Sequence, residues 1–144
     1  MYKRILVPTD GSDITAKAVQ TAIGLARLSG AALSTVCVKE PFPYSAISEM
    51  QPVPPQEFYD AQERIASNRV KAVVAEAVAA GLTCDAYTVE ALHPWEAILE
   101  QAQSQHCDLI VMASHGRRGM AALLLGSETS RVLTHSPLPV LIVK

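Results

Sequence analysis

The chain has 144 residues, a formal net charge of −2, and 49% hydrophobic against 18% charged residues. That length suits one domain spanning residues 1–144 with a sizeable core, and that balance excludes a disordered chain. With no basic excess and only 5% aromatic residues, nothing draws the chain to nucleic acid and few rings are present for bases to stack on.

The first element, Lys3–Thr9, carries Ile5-Leu6-Val7, a continuous apolar run that reads as a strand buried on both faces. The run stops at Pro8 and Asp10, too short for a signal-peptide core, and no later stretch reaches membrane-spanning length. A cytoplasmic chain without membrane contact is therefore expected. Ala16, Val19, Ile23 and Ala26 then form one helical stripe, with Ser12 placed to cap its start and Gly30 its end. A second strand is expected over Ala31–Lys39. Glu40–Pro55 holds five of the nine prolines and no sustained period, so it reads as a long connection, either a lid or an ordinary loop. From about Gln56 to Ala80 the period is helical, with Ala66, Val70, Val73, Val74 and Ala77 on one face.

A third strand follows over Thr83–Ala91, and a third helix opens at Pro94 with Trp95, Ile98, Leu99 and Ala102 as its apolar side. Asp108–Ser114 reads as the fourth strand. The fourth helix starts near Gly126-Ser127 and stops before Pro137, and Pro139–Val143 is the fifth strand. Strands alternating with helices give an α/β fold, an open doubly wound parallel sheet with helices on both faces. Cys37, Cys84 and Cys107 contain no C-x-x-C, and His93, His106 and His135 share no metal-ligand spacing. Disulfide frameworks and zinc sites are poor readings, and the cysteines are best taken as small hydrophobes.

Two strand-to-helix junctions carry chemistry. Pro8-Thr9-Asp10-Gly11-Ser12 ends the first strand and puts a carboxylate at the carboxyl edge of the sheet. There it would accept hydrogen bonds from ribose hydroxyls, or simply favour a helix N-terminus. After the fourth strand, Gly116, Gly119 and Gly126 fall within eleven residues and lead into a helix. Glycines here permit φ > 0 and close backbone approach, and the helix start offers N–H groups to an anion such as phosphate. A plain surface turn would use the same glycines for geometry alone.

These two segments, with Val111-Met112-Ala113-Ser114-His115-Gly116-x-x-Gly119-x6-Gly126-Ser127 and the closing Pro139-Val140-Leu141-Ile142-Val143, resemble the universal stress protein family over the whole length. The resemblance implies a five-stranded, Rossmann-like sheet of order 3-2-1-4-5, with Asp10 and the glycine loop at one topological switch point. It implies ATP, alone or with Mg²⁺, as ligand. Pro8, Thr9 and Asp10 would meet the ribose side and Val38 the adenine edge. Met112, Ser114, His115, Gly116, Arg117, Gly119, Gly126, Ser127, Glu128 and Thr129 would complete the site. It also implies a homodimer through the apolar strand 138–143, whose edge would otherwise expose unpaired backbone groups.

Two positions depart from the family pattern. Ala113 stands where glycine is common. Glu128 follows Ser127 where a small or apolar residue is usual; its carboxylate is expected to face solvent or to help hold Mg²⁺. No catalytic set is visible, since there is no P-loop lysine and no G-x-S-x-G elbow. The expected role is a nucleotide-dependent sensor or regulator in a stress response, with at most slow ATP hydrolysis. A dimeric interaction module without nucleotide, and a slow ATPase or phosphotransfer enzyme, are the alternatives.

Overall fold

The computed structural model describes residues 1–42, 55–117 and 124–144. Residues 43–54 of the proline-rich connection, and Arg118 and Gly119 of the glycine loop, lie outside them. The described elements are β1 (Arg4–Pro8), α1 (Asp13–Ser29), β2 (Ala32–Lys39), α2 (Pro55–Ala79), β3 (Cys84–Glu90), α3 (Pro94–Ser104), β4 (Leu109–Ala113), α4 (Ser127–His135) and β5 (Val140–Val143). All strand pairs are parallel, in the order β3-β2-β1-β4-β5.

The continuous apolar runs are explained by burial on two sides. Ile5 and Val7 of β1, with Leu109, Val111 and Ala113 of β4, pack against Val19, Ile23 and Ala26 of α1 and Val73 and Ala77 of α2. The intervening Leu6, Ile110 and Met112 pack on the opposite face against Ile98 and Ala102 of α3 and Val132 of α4. Successive side chains of a strand point to opposite faces, so both parities must be apolar where helices cover both. Helix α1 buries Thr15, Ala18, Val19, Ala22, Ile23 and Ala26, whereas Ala16 is exposed. The buried stripe is thus centred between Ala18 and Ala22, and Ala16 lies at its solvent margin.

Local chemistry fixes the ends. The Ser12 hydroxyl accepts the Thr15 N–H at the start of α1, and Gly30 ends it at φ 74°, a left-handed conformation that glycine takes without Cβ strain. At the amino edge of the sheet the Asp108 carboxylate accepts the backbone N–H groups of Lys3 (2.8 Å) and Arg4 (3.1 Å), which ties the start of β1 to that of β4. The buried Thr35 hydroxyl donates to the Val7 carbonyl at 2.8 Å, so this polar group inside the sheet is satisfied. None of the described helices is long and apolar enough to cross a membrane.

Candidate functional site

Central β1 and its neighbour β4 leave the sheet toward opposite faces. β1 leads into α1, packed on one side, and β4 leads into α4, packed on the other. The chain therefore parts above their carboxyl ends, the place where open α/β sheets receive ligands. Thr9 continues from β1 with its N–H on the Val36 carbonyl (2.9 Å), and its hydroxyl accepts the Gly11 N–H at 3.2 Å. Pro8 and Thr9 are buried, and they hold Asp10 at the rim.

Asp10 joins the two junctions. Its Oδ1 accepts the Ser12 N–H (2.9 Å) and the Thr15 hydroxyl (3.1 Å), while Oδ2 accepts the backbone N–H of Arg117 from the loop after β4. The Arg117 side chain returns the contact, with Nε and Nη2 donating to the Asp10 carbonyl at 3.2 and 3.1 Å. Burial is the strongest influence on this carboxyl and pushes its pKa upward. The hydrogen bonds from Ser12, Arg117 and Thr15 together outweigh it, and hold the group below its ordinary value. Oδ1 already serves two donors, so an incoming hydroxyl finds its acceptor position on Oδ2, shared with Arg117.

The glycines act by close approach. Gly116 and Gly126 are not among the positive-φ glycines, which are Gly11, Gly30 and Gly81 among the described residues. A Cβ on Gly116 would stand 2.9 Å from Asp10 Oδ2, and one on Gly126 would stand 3.4 Å from both the His115 Cα and the Ser114 carbonyl oxygen. The Gly126 N–H donates to that same carbonyl at 2.7 Å. Of the two uses expected of glycine here, positive φ and close approach, these two serve the second: Gly116 admits the Asp10 carboxylate and Gly126 admits the Ser114–His115 backbone.

The remaining site residues divide between floor and rim. Ser114 is buried, its hydroxyl 3.1 Å from His115 Nδ1, and the buried His115 Nε2 has no hydrogen-bond partner among the described residues. Thr129 is buried and donates to the Ala113 carbonyl at 2.9 Å, fastening the start of α4 to the end of β4. Gly126 forms the N-cap of α4 without a side-chain bond, and Ser127 is exposed at its first position. The N–H groups of that first turn are therefore not capped by the Gly126 position, and suit an anion. Val38 and Met112 share one apolar cluster on the α3–α4 side, where a base would find a nonpolar wall.

Glu128 has a partner within the protein. Its Oε2 accepts the Trp95 N–H at 2.8 Å in the first turn of α3, and Oε1 stands 3.9 Å from Arg131. The His93 N-cap of α3 supplies no side-chain bond, so the carboxylate of Glu128 takes that duty. The Glu128 side chain keeps 38% of its surface exposed, and among the described residues no group of three or more His, Cys, Asp or Glu could hold an ion.

Arg69 belongs to the same region although no motif marks it. It lies three residues after Ala66 and four before Val73, both buried, so the helical period puts it on the face of α2 that covers the sheet. Its Nε and Cγ come to 3.0 and 3.1 Å from where a Cβ on Gly11 would be, with Arg117 Nη2 at 3.2 Å from that point. Beneath it, burial pushes the Cys37 thiol pKa up, and the hydrogen bond and charge of Arg69 pull against that. The legible signal was a cation in an otherwise apolar stripe.

The pattern of the universal stress protein family matches residues 1–144. The chain belongs to that family. A universal stress protein of Thermus aquaticus is 34% identical over 145 residues, covering 100% of both chains. Among solved universal stress protein structures, UspA from Lactobacillus plantarum superposes with a TM-score of 0.86 at 26% identity, covering 99% of this chain and 98% of that one. A universal stress protein solved in complex with cAMP is 32% identical, with a TM-score of 0.70 over 99% of this chain and 97% of its own.

Proposed function

We propose that this universal stress protein binds ATP between the ends of β1 and β4 and acts as a nucleotide-dependent regulator. The observation that carries this reading is the meeting of Asp10 with the loop after β4, at the point where the chain parts above the sheet. Asp10 would take a ribose hydroxyl, Val38 and Met112 would flank the adenine, and the N-terminus of α4 at Gly126 and Ser127 would face phosphate. Mg²⁺ would then be carried by the phosphates, because Glu128 is engaged with α3. The related chain crystallised with cAMP supports an adenine nucleotide as the ligand class. ATP is the specific form proposed here, and cAMP is the competing one.

The test is to purify the protein without added ligand, denature it, and weigh whatever small molecule is released. Thermal unfolding is then followed with ATP and Mg²⁺ or with cAMP. At a hundredfold excess over Kd the stabilisation expected is about 2.7 kcal/mol. Release of no nucleotide, together with no shift at millimolar ATP, rejects the reading. A shift with cAMP alone replaces ATP by the cyclic nucleotide.

A further inference from the structure

We propose that Arg69 and Arg117 form a guanidinium pair that binds a phosphate-class oxyanion over Gly11, on the α1–α2 side of the sheet. The two side chains come from different elements, α2 and the loop after β4, and converge on the same point, 3.0 and 3.2 Å from the position a Gly11 Cβ would occupy. Gly11 is exposed and left-handed at φ 76°, so both its conformation and its missing side chain make the room.

Charge argues for an anion. Two guanidinium groups drawn toward one point repel, and that of Arg117 meets the Asp10 backbone carbonyl and not its carboxylate. Two carboxylates of α2 have partners of their own. Glu63 is paired with Lys39 at 2.7 Å and also accepts from Thr88, and Glu76 accepts from Gln20. A cleft of about 310 Å³ opens beside Arg69, lined by Gly11, Ser12, Thr15, Asn68 and Arg69, with the Glu76 carboxylate at its far end and engaged by Gln20. One water takes about 30 Å³ of liquid, so a phosphoryl group with its hydration enters easily. Arginine offers a planar fork of donors matched to phosphate oxygens.

The inference deepens the nucleotide reading: the phosphates nearest the ribose would face the N-terminus of α4, and the distal one would turn past Asp10 to Arg69 and Arg117. It remains testable without that reading. Binding of ATP, adenosine and tripolyphosphate to the intact chain is measured by calorimetry for the wild type, Arg69→Gln and Arg69→Lys. Arg69→Gln is expected to weaken ATP or tripolyphosphate about tenfold, at least several times more than it weakens adenosine. Arg69→Lys restores the charge without the fork and should recover part of the loss, more so at low salt. A loss below about twofold for both anions, or an equal loss for ATP and adenosine, overturns the proposal. Wild-type protein that binds tripolyphosphate but neither ATP nor adenosine retires the nucleotide reading and leaves the anion site standing. Protein that binds none of the three overturns both.

Discussion

Asp10 shows how one carboxylate can be both structural and receptive. Its folded pKa lies below the unfolded value, so it contributes stability above about pH 4 that is lost as pH falls through the folded pKa. Asp10→Asn should therefore flatten the stability–pH curve below about pH 4, measured by denaturant unfolding at a series of pH values. At neutral pH the Asn amide would turn a donor toward the Arg117 N–H, at a cost of about 1 kcal/mol. The same variant should lose adenosine binding. An acid limb as steep as that of the wild type would mean that Asp10 does not govern acid stability. The importance of Asp10 was legible because a strand-end carboxylate is a recognisable pattern. Its grip on Arg117 was not, because 107 residues separate the partners and only the fold brings them together.

At the scale of elements, sequence and structure agree where periodicity is dictated by burial on two faces. Ile5-Leu6-Val7 and Leu109–Ala113 read as strands because they are short, continuous and apolar, as burial under helices on both faces requires. Junctions were less legible. Gly116 was readable as a turn glycine, yet the reason for it is the Asp10 oxygen 2.9 Å from its would-be Cβ, a contact with no local signature. Glu128 is the clearest instance. Its sequence neighbour Ser127 suggested a phosphate setting, while the three-dimensional neighbour is the first turn of α3. Glu128→Ala should destabilise the fold by about 1 kcal/mol, measured by urea unfolding. ATP affinity should change less than about threefold in Glu128→Gln, because the carboxylate stabilises α3 and does not face the nucleotide. A strong gain in ATP affinity without Mg²⁺ would show instead that repulsion reaches the phosphates.

For the molecule as a whole, β3 and β5 are the two edges of the sheet, and β5 is the more apolar. It pairs with β4 on one side only, and Leu141 on it is 39% exposed, an apolar edge that association with a second copy would cover. Light scattering should give a mass of twice 15.4 kDa at micromolar concentration, and Leu141→Asp should reduce it to the single-chain value with the fold intact by circular dichroism. A wild-type monomer would remove this strand from consideration as an interface.

Ser114 stands between these two regions. Its N–H is held by the Val143 carbonyl at 2.8 Å and its own carbonyl holds the Gly126 N–H at 2.7 Å, so one residue splices the rim of the pocket to the outermost strand. Under the proposed function, a ligand that displaced Gly126 would act through Ser114 on the strand where a second copy is expected to join. Thermodynamic reciprocity then fixes the relation: whatever factor self-association applies to nucleotide affinity, the nucleotide must return to self-association.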